Sequence, residues 1–249
     1  MRGVTRESYS SDFEYSVRGS ERARSVRVRI SVTGDVEVVV PAGFDRSRIP
    51  SIVARHEPSI AAARARIHAQ RLAVGTADDT SAPPARLLLR ALDEDWTIAW
   101  THDPARPARL ALAGTGRLHA VADVESLDSW AGALRAWLVD RAKHRLIPWT
   151  EERADRLAMP VSTVRVRCQR SRWGSYSIRG TLSLNAQLLF LPRRLAEYVI
   201  VHELCHTVHL DHSPAFWRLV AAHVPHADAL RAEMRSAWSY VPSWIAARR

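Results

Sequence analysis

The stretch Val201-His202-Glu203-Leu204-Cys205-His206-Thr207-Val208-His209-Leu210-Asp211-His212 contains H-E-x-x-H with a further histidine six residues on. On a helix, His202 and His206 stand at i and i+4, so their imidazoles leave one face a turn apart and converge on a single ion at about 2.0–2.1 Å per bond. Glu203 projects beside them, where its carboxylate can hold and deprotonate a water. His209 shares that stripe, but at ~1.5 Å rise per residue it lies too far along to share an ion with His202. A third ligand therefore has to come from chain that has left the helix and turned back. His212 meets that condition, because Ser213-Pro214 reads as the cap and first residue of a new helix through Ala215-Phe216-Trp217. His223, His226, Asp228 and Glu233 are the remaining downstream groups able to take its place. Cys205 reads as a small buried packing residue.

Outward from this stretch, Pro192 opens the helix, and Leu195, Val199, Ile200, Val201, Leu204 and Val208 make it apolar around most of its circumference. A helix of that kind sits at the centre of a fold. Upstream, Val164, Val166 and Cys168 alternate with Arg165, Arg167 and Gln169 as a half-buried strand, and Thr181 to Gln187 reads as its returning, antiparallel partner. Either strand can hold an extended peptide by backbone hydrogen bonds, and Thr181 to Gln187, a short step before the helix, should present its edge close to the metal. Leu127, Trp130, Leu134, Trp137 and Leu138 recur at helical spacing. Pro148 is expected to end or kink that helix, with Thr150 capping a second one over 151–158.

Four motifs in order, Arg172-Trp173-Gly174-Ser175, Gly180 to Asn185, Tyr198 to His206, and His212 to Trp217, resemble the YgjP-like metallopeptidase family, a relative of SprT-like zinc proteases. The resemblance is strongest over roughly residues 160 to 220. It implies one zinc ion per chain on His202, His206 and His212, water activation with Glu203 as general base, and a polypeptide substrate. Arg172, Trp173, Tyr176 and Asn185 are the candidate substrate-binding residues, Arg172 and Tyr176 also as stabilisers of the developing oxyanion. Tyr176 stands where the family usually has Cys, so any role of that thiol is absent. Spacing to His212 also matches the metzincins, but position 209 is His where they turn the chain on Gly.

In the N-terminal half, Val26, Val28, Ile30 and Val32 alternate with Arg27, Arg29 and Ser31, Thr33-Gly34-Asp35 signals a turn, and Val36 to Val40 returns, a β-hairpin. Residues 45–72 are helical in character with an interruption near Pro58, and 75–84 reads as a linker. Short alternating runs between 86 and 121 suggest a small antiparallel sheet. The reading is an α+β protein: a polar, frayed tail over 1–12, a β-rich supporting region over 13–128, a zincin-like metallopeptidase domain over 129–238 with its central buried H-E-x-x-H helix beside a small antiparallel sheet, and a tail over 239–249.

The chain has 249 residues, 47% of them hydrophobic and 25% charged, a globular balance. Its start lacks the apolar core of a secretion signal and no apolar run approaches bilayer length, so a cytoplasmic protein is expected. Two cysteines, Cys168 and Cys205, make no disulfide framework. Basic residues outnumber acidic ones by 36 to 26, for a net charge of +10. That excess is spread along an alanine-rich chain with Lys143 as its one lysine, a pattern of codon bias that supports nucleic acid as a partner only weakly. Two other function classes use the same residues. One is a metal-dependent nucleoside triphosphate pyrophosphohydrolase, with Arg170, Arg172 and Arg179 taking the phosphate charge. The other is a nucleic-acid-binding module whose zinc is structural.

Overall fold

The structure, a computed structural model, describes residues 4–7, 14–76 and 82–245. Part of the expected linker over 75–84 and the ends of both expected tails lie outside the described residues. Two compact units divide the chain, Met1–Ala77 and Asp78–Arg249.

In the first unit, β1 (Val4–Glu7), β2 (Tyr15–Ser20), β3 (Arg27–Ile30) and β4 (Val36–Pro41) form a sheet in the order β1-β2-β4-β3, followed by helix α1 (Ile49–Ala73). The expected hairpin is the antiparallel pair β3 and β4, with Val28 opposite Val38. Alternation places Val36, Val38 and Val40 on one face, where they bury with Tyr15, Val17 and the α1 residues Ile49, Val53 and Ile60. The stretch read as a frayed tail contributes β1, which pairs antiparallel with β2. A sheet edge recruits backbone groups whatever the side chains are, so composition alone did not announce it. Helix α1 runs unbroken through Pro58, against the expected interruption. Pro58 and Ala54, whose carbonyl loses its amide partner, both face solvent, so water can take the freed acceptor.

The second unit opens with β5 (Arg86–Leu89), β6 (Glu94–His102), β7 (Arg109–Leu112) and β8 (Arg117–Ala122), ordered β5-β6-β8-β7. This sheet is mixed rather than antiparallel. The chain goes out to β7 at the edge and returns as β8 between β7 and β6, which makes β8 parallel to β6. The first sheet pairs its strands in the same pattern. Helix α2 (Leu127–Leu157) is continuous, where two helices were expected. Pro148 and His144 are exposed, the solution seen at Pro58, and Thr150 is no cap: buried, its hydroxyl donates to the Leu146 carbonyl at 2.7 Å.

Strands β9 (Thr163–Arg167), β10 (Gly174–Tyr176) and β11 (Thr181–Asn185) form the third sheet, in the order β10-β11-β9. Two expectations are corrected here. Strands β9 and β11 are parallel, with Val164 beside Leu182 and Val166 beside Leu184. The antiparallel partner of β11 is β10. Because β11 is the middle strand, neither of its edges is open to a peptide; the outer edges of this sheet belong to β10 and β9.

Helix α3 (Arg193–Cys205) carries the H-E-x-x-H pattern, and α4 (Pro214–His223) and α5 (Ala227–Glu233) follow. Leu195, Ala196, Val199, Ile200, Val201, Leu204 and Cys205 are all buried, the centrality its all-round apolar character demands. One core joins α3 to α2 and to the β5–β8 sheet through Leu87, Leu118, Trp130, Leu138, Leu146 and Leu189. The strands over 86–122, counted in the sequence reading with the supporting region, thus share their core with α3. The C-terminal stretch read as a tail supplies Trp244 and Ile245 to that core. Bulky apolar side chains bury wherever the chain brings them to a core, and Arg135 donates to the Trp244 carbonyl at 3.2 Å. The last α-helix, α5, stops at Glu233. Among the described residues no helix is long and apolar enough to cross a membrane.

Candidate metal centre

Helix α3 ends at Cys205, and His206 is its C-terminal cap. The chain turns away through Thr207 and Val208 and comes back as Asp211 and His212 before Ser213, whose hydroxyl accepts from the Phe216 amide and caps α4. Nothing at position 209 takes a left-handed conformation; among the described residues that is confined, apart from glycines, to Asp93, Ala158 and His226. The turn brings His202, His206 and His212 together, with one ligand atom of each within 4.8 Å of the others.

The donor set fits a divalent metal. Two nitrogens on one tetrahedral ion at about 2.0–2.1 Å each stand about 3.3 Å apart, and His202 Nε2 lies 3.1 Å from His212 Nε2. His206 Nδ1 is 2.8 Å from the His209 carbonyl. Donation to that oxygen fixes the tautomer and leaves the Nε2 lone pair for a metal. His209 thus serves the cluster through its backbone. His202 Nδ1 is buried without a partner among the described residues. Burial first, then His206, His212 and Arg231, push the His202 imidazole down to about 3, and burial also lowers His206. Neutral imidazoles are the form that ligates. Phe216, fully buried, braces all three rings: it stacks on His206 at 4.5 Å between centroids and meets His202 and His212 edge-on at 4.9 and 4.8 Å.

Glu203 is 7% exposed and faces the backbone of β10. A Cβ on Gly174 would stand 2.6 Å from its Cγ and 2.7 Å from Oε1, so only glycine lets the strand come this close. Burial pushes the Glu203 carboxyl up to about 8; a cation held by the three rings would favour the charged form. Gly174→Ala should therefore fold but displace Glu203, lowering activity by about 10²-fold, the usual penalty of a misplacement near 1 Å. Steady-state kinetics beside a thermal melt checks it; unchanged turnover would show that the close approach does not matter.

A cavity of about 530 Å³ opens over this cluster. The run Ser171 to Tyr176 lines one wall of it, α3 and its cap contribute Tyr198, Val199, His202, Glu203 and His206, and the chain beyond contributes Leu210, His212, Trp217, Arg231 and Met234. Of the expected substrate-binding residues, Arg172, Trp173 and Tyr176 line it, and Trp173 also stacks on Trp238 at 4.0 Å. Asn185 does not. It is fully buried, its amide donating to the Gln169 and Arg172 carbonyls at 2.8 and 2.7 Å while Oδ1 accepts from the Gln187 amide at 3.1 Å. It holds the loop that carries the Arg172 wall. Asn185→Ala strands several buried backbone groups at about 1–3 kcal/mol each, so urea titration should show a loss near 3 kcal/mol; a loss under about 1 kcal/mol would mean the loop holds itself.

The groups kept as fallback ligands lie outside the cluster: Glu233 pairs with Arg194, and His223, His226 and Asp228 are exposed. Cys205 is fully buried, and burial pushes its thiol up to about 11, as befits a packing residue. Sequence reading passed over Gly174, Tyr198, Trp217 and Arg231. A glycine inside a strand is itself the sign of a close approach, and Tyr198 lies at i−4 from His202 on the same helical face. Arg231 gives no local sign, since it arrives with α5 through tertiary packing.

Comparison with known proteins finds a family and a solved structure that this chain resembles. The family described as YgjP-like, metallopeptidase domain, matches residues 24–237. The crystal structure of the metallopeptidase zymogen of Pyrococcus abyssi abylysin is 27% identical, covering 35% of this chain and 89% of that one at a TM-score of 0.32. No curated protein matches.

Proposed function

Because the chain belongs to the YgjP-like metallopeptidase family, we propose that it is a zinc-dependent peptidase of the H-E-x-x-H type, with His202, His206 and His212 as metal ligands and Glu203 as general base. The observation that carries this reading is the convergence of three imidazoles beside a buried carboxyl in the lining of an open cavity. Three imidazoles suit Zn²⁺ and leave a coordination position free. Such an ion supplies Lewis-acid polarisation of a carbonyl and acidification of water.

The chain's own residues supply the rest. Glu203, held against β10 with no side chain at Gly174 to displace it, takes a proton from water at its carboxylate and returns it to the departing amine. Strand β10 is an outer strand whose residues line the cavity, where an extended peptide can add as a further strand through backbone hydrogen bonds. Such binding demands no particular side chain and suits a protease of broad sequence tolerance. Tyr176, at the end of β10, and Arg172 are the donors on that wall for a developing oxyanion.

A cavity walled by a strand edge favours peptide over nucleotide. Of the three arginines that a triphosphate would need, Arg172 lines the cavity and Arg170 and Arg179 do not. The deciding experiment incubates zinc-loaded protein separately with unfolded polypeptide and with nucleoside triphosphates. Peptide cleavage that is lost in Glu203→Gln is expected; pyrophosphate release without peptide cleavage would replace this reading with the nucleotide one.

A further inference from the structure

The cavity holds two polar groups that peptide hydrolysis as described above leaves idle. Arg231 on α5 lines the cavity, and its closest partner is an indole: the guanidinium carbon lies 3.9 Å from the Trp217 ring centroid. Among the described residues no carboxylate stands within ion-pair distance of it. Its helix neighbour Glu233 is engaged by Arg194, which also ties α5 to α3. Tyr198, 5% exposed and one turn before His202, lines the same region, and its hydroxyl makes no hydrogen bond among the described residues. A phenol holds its proton at neutral pH, so the hydroxyl is available as a donor. The Trp217 ring beneath Arg231 lies 5.7 Å from the His202 ring and 5.5 Å from the His212 ring between centroids, which sets the guanidinium beside the histidine cluster, and Tyr198 and Arg231 line the same cavity.

The balance of charge around the cavity is one-sided. Glu203 is the only acid among its lining residues, against the two cations Arg172 and Arg231. A metal on the three histidines would add to that positive excess. An arginine held flat on an aromatic ring keeps its N–H edge free, and that edge matches a carboxylate with two parallel hydrogen bonds. A phenol O–H beside it supplies a third donor.

We infer that Arg231 and Tyr198, with Trp217 as the platform, form a subsite beside the histidine cluster that binds a carboxylate of the substrate peptide. This rests on the peptidase reading. Two parts of a peptide carry that group, the free C-terminal α-carboxylate and the side chain of Asp or Glu. The first makes the enzyme prefer cleavage near the end of a chain, and the second makes it prefer acidic sequences.

The test measures binding by calorimetry on the zinc-loaded Glu203→Gln chain, with a peptide carrying a free C-terminus, the same peptide amidated, and versions with Asp and Glu replaced by Asn and Gln. One of the two neutralisations should weaken binding about tenfold or more, and the one that does identifies the source. In the additional presence of Arg231→Gln the discrimination should vanish. Arg231→Lys should restore part of it, since the charge returns without the planar fork, and Tyr198→Phe should reduce it while keeping its sign. Discrimination that persists in Arg231→Gln would overturn the subsite. So would an Arg231→Gln chain with intact Glu203 whose turnover falls equally on all peptides with binding unchanged, because Arg231 would then act at the transition state. Peptides that are cleaved without regard to their carboxylates remove the subsite and leave the peptidase; peptides neither bound nor cleaved by the unsubstituted chain remove both.

Discussion

Replacing Glu203 with glutamine should cut peptide hydrolysis by about 10²–10⁴-fold, the range a positioned general base contributes, while metal content stays unchanged. Glutamine keeps the shape that fits against Gly174 but cannot accept a proton. The same substitution has a second signature in metal-free protein. With its carboxyl pushed from an ordinary 4.5 up to about 8 in the fold, Glu203 is harder to ionise folded than unfolded. Below the unfolded value both states hold the proton and nothing is lost. As pH rises toward about 8 the unfolded chain releases its proton and the folded one resists, so Glu203 destabilises the fold progressively and the loss levels off above that value. Metal-free Glu203→Gln should therefore melt at the same temperature as the parent near pH 4 and at a higher temperature near pH 8. A residue with a merely structural role would destabilise on substitution at both. Retained hydrolysis would exclude the general-base assignment, and loss of metal would make Glu203 a ligand or a support of the ligands.

The parts of this molecule that were legible in its sequence are those written in local period. The helix of His202 and His206 and the corner at His212 follow from spacing and from Ser213-Pro214, and the strands of Val28, Val38, Val166 and Leu184 show in their apolar pattern, while the three-residue β10 does not. Strand direction does not show, because a period of two is the same for parallel and antiparallel neighbours; hence β9 and β11, and β6 and β8, run parallel where a simple return was expected. Pro58 and Pro148 illustrate a local rule overridden: each removes one helical hydrogen bond on an exposed face, while burial of Ile60 or of Leu146 and Trp149 holds the helix together. Asn185 was legible as part of a motif but its task, clamping the Gln169 and Arg172 carbonyls, needed the loop's path. Arg231 beside Trp217 was not legible at all, since it depends on how α5 lies against α4.

The largest effects of all are expected at the ligands. His202→Ala, His206→Ala and His212→Ala should each leave the purified protein with little or no zinc, where the parent should carry about one ion per chain and Glu203→Gln should keep it. Removing even a hydrogen-bond partner of a ligand typically costs 10–100-fold in metal affinity, so removing one of three ligands should cost more than ~100-fold, with hydrolysis lost in step. His209→Ala is the informative control. Its imidazole stands outside the cluster while its carbonyl meets His206 Nδ1 at 2.8 Å, and alanine supplies the same carbonyl. His209→Ala should therefore keep its zinc and most of its activity. Phe216→Ala should fall between, since it leaves every ligand in place but removes the ring that braces all three at 4.5 to 4.9 Å. Elemental analysis of protein purified without added metal decides the set: a His212→Ala chain as metal-replete as the parent, or a His209→Ala chain stripped of metal, would move the third ligand from position 212 to position 209.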